Sequence, residues 1–253
     1  MRHLLLFLLL TLGSSLFAQS PTLDAEIKYV WAKSGLTVRA EGKASGRKTA
    51  VLPYGTRVMV MEQYAGDRVP VTVVEAFEFP FYGETAKSEA VLLDDHYVKV
   101  ELTDGGTGYV YDGYLSSYPT PRAGEDNTEW LTRIGGTPTR TEKQFDGMIR
   151  QETRYVYPAG ILRVDQQFEG GGGTTYVFPL GDRNEALLLT DHLYNVFADL
   201  KKAAAAGDGE VNGYDDGLRY GSEEHREYFQ GEMWGVEISV VGGVIVISSE
   251  GGC

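Results

Sequence analysis

The amino-acid sequence predicts an all-β module in the N-terminal half and an α+β domain in the C-terminal half. Residues 27–119 contain short apolar or alternating segments separated by glycine, proline and aspartate, a pattern typical of a small β-barrel or sandwich. Residues 129–253 combine strand patterns with one amphipathic helical pattern. The polar stretch 120–128, which follows Pro119 and contains Pro121, predicts a linker between the two.

Residues 1–18 predict export from the cytoplasm. Arg2 and His3 precede an apolar run from Leu4 to Leu12, and a stretch rich in small residues ends at Ala18. This is the arrangement of a secretory signal peptide that is cleaved after Ala18. The run is shorter than the roughly 20 residues that span a bilayer. We therefore expect a periplasmic or extracellular protein with no stable membrane insertion after cleavage.

The composition argues against nucleic-acid binding and against disulfide bonds within the chain. The chain carries 36 acidic and 23 basic residues, which gives a formal net charge of −13. Such an acidic surface repels phosphate backbones, so we expect no nucleic-acid binding. The single cysteine, Cys253, is the last residue, so no disulfide can form within the chain. Pairing of Cys253 between chains stays open.

Strand and turn patterns follow one another through the N-terminal half. Pro53 to Thr56 and Asp104 to Thr107 predict turns, because glycine, proline and aspartate favour turn conformations. No helical period of useful length interrupts them. The predicted strands cover residues 36–39, 57–63, 69–77, 91–93, 97–102 and 108–111.

The C-terminal half predicts an antiparallel sheet with one main helix packed on it. Strand patterns cover residues 151–157, 161–168 and 174–179. Asp182 and Glu185 then form a capping-box pattern, and apolar residues at three- and four-residue spacing predict one helix over residues 183–206. Two β-branched runs, 233–241 and 244–249, flank Gly242 and Gly243, which is a strong hairpin signal.

Four segments of the N-terminal half resemble bacterial SH3 (SH3b) domains. The sequence SGLTVR from Ser34 to Arg39 is similar to the family's G-L-N-V-R segment, and residues 51–58 are similar to its L-P-x-G-T-x-V segment. Residues 97–100 and 108–115 match its closing V-K-V and G-Y-V…Y-L segments. The resemblance implies an SH3-like barrel over residues 27–119 with a long insertion at about 64–96. The loop 41–50 lacks the family's G-P pair, since no proline follows Gly42.

The resemblance also implies a binding function. Domains of this family commonly bind cell-wall peptides or other extended peptides, so the expected partner is a peptide, peptidoglycan or an envelope protein. Flat amphipathic rings suit such ligands at low entropic cost. Packing in the barrel core or rim is the alternative role of each ring. The ligand-binding candidates are Trp31, Tyr54, Tyr97, Tyr109, Tyr111 and Tyr114.

No residue pattern identifies an active site or a cofactor. Wall hydrolases that accompany such domains often use a cysteine with a downstream histidine, and the terminal position of Cys253 excludes that arrangement. His96, His192 and His225 have no second ligand at metal-binding spacing. We therefore expect a non-catalytic protein without a cofactor. Two alternatives stay open: a hydrolase with a carboxylate-based site in residues 129–253, and a structural or assembly component of the cell envelope.

The segment after the predicted helix contains one candidate for calcium binding. Asp208, Glu210 and Asn212 occupy positions 1, 3 and 5 of a pattern that resembles an EF-hand loop, with Gly213 at position 6. The twelfth position is Arg219 instead of the bidentate glutamate. A polar, glycine-rich connection is the favoured interpretation, so we expect no metal site.

Overall fold

The chain is mostly β-sheet. The computed structural model describes residues 26–62, 66–81, 84–145, 149–206, 218–223, 226–231 and 233–252. Strands account for 52% of these residues and helices for 17%, so helices are the minor component. None of the described helices is long and apolar enough to cross a membrane. The predicted signal peptide, the calcium candidates Asp208, Glu210 and Asn212, and also His225 and Cys253 lie outside the described residues.

Seven strands of the N-terminal half form one antiparallel sheet. Their order in the sheet is β11-β1-β4-β9-β10-β2-β3, while β5 pairs with β8 and β6 pairs with β7. A short 3-10 helix, Asp112–Tyr114, connects β10 to β11. The strands are β1 (Glu26–Val30), β2 (Leu36–Arg39), β3 (Lys48–Leu52), β4 (Arg57–Glu62), β5 (Val69–Val74), β6 (Phe77–Phe81), β7 (Glu84–Ser88), β8 (Val91–Asp95), β9 (Tyr97–Glu101), β10 (Thr107–Tyr111) and β11 (Leu115–Ser116).

The predicted closed SH3-like barrel is wrong, because this sheet is open. Its edge strands β11 and β3 form no ladder with each other in the described part of the chain. Leu36, Val38 and Val58 are buried, as the alternation of apolar residues predicts. Alternation determines which face is buried but not whether the edges meet, since closure depends on strand tilt and stagger. The strands β5 to β8 form two separate pairs and do not extend the sheet towards closure.

The C-terminal half contains an eight-stranded antiparallel sheet in the order β12-β13-β14-β15-β19-β18-β17-β16. Strand β15 pairs with β19, which is not its neighbour in sequence, and Tyr176 lies opposite Ile247 and Phe178 opposite Ile245. The helices α2 and α3 lie between β15 and β16 in the chain. The elements are α1 (Asn127–Gly135), β12 (Thr139–Gln144), β13 (Ile149–Val156), β14 (Leu162–Phe168), β15 (Gly171–Phe178), α2 (Arg183–Tyr194), α3 (Val196–Ala206), β16 (Arg219–Glu223), β17 (Arg226–Gln230), β18 (Trp234–Val241) and β19 (Val244–Gly252).

The prediction of one main helix over residues 183–206 is wrong. Two helices occupy this stretch, because Asn195 adopts the left-handed conformation with φ of 56° and ends α2. Asparagine is one of the few residues that tolerate this conformation. The Asp191 side chain then accepts a hydrogen bond from the Phe197 backbone N–H at 2.9 Å, which stabilises the start of α3. The α+β description of this half holds only loosely, since the sheet is its main component.

Helix α1 begins within the stretch that the sequence predicted as a linker. Asp126 caps it by accepting a hydrogen bond from the Glu129 N–H at 2.8 Å, and the Glu129 carboxylate accepts one from the Asp126 N–H at 3.1 Å. This reciprocal pair is a capping box. The helix buries Trp130 and Leu131 completely. Residues 120–128 therefore lead directly into a helix that belongs to the hydrophobic core.

Helix α2 connects the two halves. It packs on β18 and β19 and also contacts the 3-10 helix of the N-terminal half. The buried Glu185 carboxylate accepts hydrogen bonds from the Ser117 backbone N–H at 2.6 Å and from the Ser117 hydroxyl at 2.9 Å. The Asn184 amide donates to the Asp95 carboxylate at 2.8 Å, and Arg183 donates to the Leu92 carbonyl at 2.7 Å. One continuous cluster of buried apolar residues consequently runs through both halves.

A largely buried ion pair supports the contact between β1 and the 3-10 helix. Lys28 Nζ lies 2.9 Å from Asp112 Oδ1, and the two side chains are only 12% and 16% exposed. Burial raises the pKa of Asp112 to about 6, and the neighbouring Lys28 opposes that rise. Each charge thus depends on the other for compensation inside the protein.

We predict that Asp112→Asn lowers the free energy of unfolding by about 3 kcal/mol, because it leaves the Lys28 ammonium buried without a counter-charge. The double variant Lys28→Met/Asp112→Asn should cost less than Asp112→Asn alone, since neither charge of this ion pair remains. Urea unfolding at pH 7 measures both values. Lys87→Met, which breaks the exposed pair with Glu78, is the control and should change the value by less than about 0.5 kcal/mol. A double variant less stable than Asp112→Asn contradicts this account.

Candidate ligand-binding groove

A groove with a volume of about 460 Å³ lies between the N-terminal sheet and the helices α2 and α3. One wall comes from the loop after β1, from β2, β5, β9 and β10 and from the 3-10 helix, and the opposite wall comes from the two helices. Its volume falls within the range of small-molecule and peptide-side-chain sites. The aliphatic residues and the phenylalanine of the lining are Ala32, Leu36, Val71, Val73, Leu188, Phe197 and Ala198.

Three tyrosines form an aromatic wall on the sheet side of the groove. The ring centroids of Tyr97 and Tyr111 are 5.7 Å apart, and those of Tyr111 and Tyr114 are 6.0 Å apart. The Tyr111 hydroxyl lies 2.6 Å from the Val69 carbonyl oxygen and 2.7 Å from that of Leu93, and these two acceptors share its single proton. Burial raises the pKa of Tyr111 well above its usual range. The ring is therefore fixed in place and neutral, and with 4% of its surface exposed it presents only a small apolar area to the groove.

Trp31 lies at the end of this wall and is 4% exposed. Its indole N–H donates to the Tyr118 carbonyl at 2.8 Å. The ring lies edge-on to Trp130 at 6.0 Å and to His192 at 5.8 Å. Because Trp31 is packed on several sides, it mainly supports the groove and presents only a small part of its surface to it.

Trp31, Trp130 and His192 form an aromatic cluster behind the groove. The imidazole of His192 lies 4.7 Å from the Trp130 ring centroid in an edge-to-face arrangement. Its buried Nε2 has no hydrogen-bond partner among the described residues. Burial, assisted by the nearby Lys33, lowers the pKa of His192 to about 4. The imidazole is thus neutral at pH 7 and acts as a third ring in the cluster.

The aromatic cluster also holds the backbone of residues 118–120. The Trp130 indole N–H donates to the Pro119 carbonyl at 2.8 Å, next to the bond from Trp31 to Tyr118. Arg133 of α1 donates to the Thr120 carbonyl, also at 2.8 Å. These bonds attach the connection between the two halves to both of them, so the groove has a fixed back wall.

The structure places four of the six predicted ligand-binding residues in the groove: Trp31, Tyr97, Tyr111 and Tyr114. Tyr54 lies behind the groove with its ring 6.3 Å from that of Trp31, and burial together with Asp191 raises its pKa to about 12. Tyr109 lies on β10 opposite Lys99 and packs partly buried against the core, and it is not part of the groove lining.

The helix wall is the part of the site that the sequence did not identify. Leu188 and Asp191 come from α2, and Phe197, Ala198 and Lys201 come from α3. Their spacing predicts a helix but does not tell which other element that helix contacts. The only local signal was the pair Asp191 and His192, which are adjacent in sequence and point in different directions on the helix.

A second concavity, of about 490 Å³, lies on the C-terminal sheet between β14, β15 and the strands β16 to β19. Its polar side chains bind one another: the hydroxyls of Thr175 and Ser248 are 2.8 Å apart, and Arg226 donates to Glu237 at 2.9 Å. We consider the first groove the better candidate, since it brings the predicted aromatic residues together. No group of three or more potential metal ligands occurs in the part of the chain that the structure describes.

Comparison of this chain with family models, with curated proteins and with solved structures finds no match.

The pKa of His192 predicts how the stability of the aromatic cluster depends on pH. The folded protein keeps the imidazole neutral down to about pH 4, whereas in the unfolded chain it binds a proton near pH 6.5. The unfolded state therefore binds more protons between these values, and stability falls as the pH drops through that window. His192→Phe removes this contribution, so wild type should lose stability relative to His192→Phe between pH 6.5 and pH 4.

Urea unfolding of both proteins at pH 7, 5.5 and 4.5 measures this difference. Only the difference between the curves is informative, because other groups also titrate in this range. Parallel curves for wild type and His192→Phe would show that the buried imidazole does not couple to stability.

Proposed function

We propose that the protein is an exported, non-catalytic binding protein that holds an extended peptide in the groove. The observation that carries this proposal is the aromatic wall of Tyr97, Tyr111 and Tyr114 facing the apolar side chains of Leu188 and Phe197. A largely apolar concavity with a few polar groups is the usual form of a ligand site. The signal-peptide pattern of residues 1–18 supports a function outside the cytoplasm.

The rigidity of the aromatic wall supports binding. Tyr97 and Tyr111 are 7% and 4% exposed, and the ring contacts and hydrogen bonds described above hold them in one conformation. Side chains that are ordered before the ligand arrives lose little conformational entropy on binding. Most of the conformational entropy lost on binding is then lost by the ligand.

The segments that resemble SH3b domains also contribute residues to this groove. Residues Ser34 to Arg39, which resemble the family's G-L-N-V-R segment, contribute Gly35, Leu36 and Thr37 to the lining. The closing segments that resemble the family contribute Tyr97 and Tyr114. The family's peptide-binding role therefore falls on residues that surround this groove, although the sheet is open. We propose a cell-wall-derived peptide as the ligand.

Filling the groove with a larger side chain should weaken ligand binding. Ala198→Trp places a large ring into the groove from α3, and it should weaken binding of soluble peptidoglycan fragments by at least about tenfold. Isothermal titration calorimetry with a digest of purified peptidoglycan measures this. Ala204→Trp is the matched control, because Ala204 is exposed on the same helix and outside the lining.

Thermal melting establishes that both tryptophan variants keep the fold. Wild type and Ala204→Trp should bind alike. Equal binding by Ala198→Trp would place the site elsewhere, and no binding of the digest by wild type would overturn the proposed cell-wall ligand.

A further inference from the structure

The groove is positively charged although the protein is acidic. The chain has a formal net charge of −13. The groove lining nevertheless contains three cationic side chains, Lys33, Arg39 and Lys201, and only one carboxylate, Asp191. This local excess of positive charge runs against the composition of the whole chain, so it points to a ligand with a negative charge.

Asp191 is already satisfied within the protein. Its Oδ2 lies 2.7 Å from Lys33 Nζ, and its Oδ1 accepts a hydrogen bond from the Phe197 backbone N–H at 2.9 Å. Both carboxylate oxygens are thus engaged, and Asp191 neutralises Lys33. The two remaining charges of the groove are those of Arg39 and Lys201.

Arg39 and Lys201 have no carboxylate partner in the part of the chain that the structure describes. Arg39 Nη1 donates to the Gly46 carbonyl at 2.7 Å, which holds the guanidinium while its other N–H groups stay free of protein acceptors in the described residues. Lys201 is exposed on α3. The first cation therefore comes from β2 on the sheet wall, and the second comes from the helix wall.

The chemistry of these two groups suits a carboxylate next to an apolar side chain. The planar guanidinium matches the geometry of a carboxylate, and the ammonium adds a second charge-assisted bond. Phe197 and Val73 provide apolar surface in the same groove. The negative charge of the remaining surface disfavours long polyanions, since they would be repelled outside the groove.

We infer that the groove recognises a peptide carboxylate through Arg39 and Lys201 while a neighbouring apolar side chain of the peptide packs between the aromatic wall and Phe197. This inference rests on the proposed peptide-binding function and specifies its ligand. The carboxylate can belong to the C-terminus of the peptide or to an acidic side chain. Both sources present the same chemical group, and the experiment below separates them.

The test uses four synthetic pentapeptides with the sequence glycine-leucine-X-leucine-glycine and an acetylated N-terminus. X is glutamate or glutamine, and the C-terminus is a free acid or an amide. Isothermal titration calorimetry with the full chain after removal of the predicted leader should show about tenfold tighter binding of at least one singly charged peptide than of the uncharged one. A preference for the free acid assigns the C-terminus, and a preference for glutamate assigns the side chain.

Arg39→Gln and Lys201→Gln should each remove most of this preference. Lys201 is exposed, so its replacement does not endanger the fold. Lys202→Gln is the matched control, because Lys202 is the next residue, carries the same charge and pairs with Asp199 at 2.7 Å. It should keep the preference of wild type. The preference should also shrink as the salt concentration rises.

The outcomes separate this inference from the proposed function. Equal affinity of wild type for all four peptides overturns the carboxylate inference and leaves peptide binding in the groove standing. A preference that survives in both Arg39→Gln and Lys201→Gln overturns the assignment of the two residues. Failure of all four peptides to bind, in a protein that melts cooperatively, overturns the inference together with the peptide-binding function.

Discussion

The mutual packing of Trp31, Trp130 and His192 is the interaction on which the rest of the structure depends. Trp31 follows β1, Trp130 belongs to α1, and His192 belongs to α2. The aromatic cluster therefore joins three segments that are far apart in sequence. The two indole N–H groups also bind the carbonyls of Tyr118 and Pro119 in the connection between the halves. The groove is the space that remains between the sheet and the helices once this cluster is packed.

Local patterns in the sequence predicted which residues are buried, but not how distant elements meet. Leu36 and Val38 are buried because the two-residue period of a strand depends only on the backbone. The closed barrel was wrong because closure depends on contacts between strands that are not neighbours in sequence. The break at Asn195 was missed because amphipathic spacing continues across it. Asp126 and Glu129 carry the same capping pattern as Asp182 and Glu185, so α1 could have been predicted.

Only the sheet side of the candidate site could be predicted from the sequence. Tyr97, Tyr111 and Tyr114 were identifiable because the resemblance concerns these segments directly. Phe197 and Lys201 were not, since their place opposite the tyrosines results from the packing of α2 against both halves. When a binding site lies between two parts of a chain, sequence analysis identifies only the residues of the part that carries a recognisable motif.

The central claim is that the two halves form one cooperative body, because only then does the groove exist. Urea unfolding of Trp234→Phe tests it most directly, since the two remaining tryptophans, Trp31 and Trp130, both belong to the aromatic cluster. Tryptophan fluorescence reports this cluster, and far-UV circular dichroism reports both sheets. The account predicts one transition with the same midpoint by both probes. Two separated transitions, with the fluorescence change complete before the loss of β-structure, would contradict it.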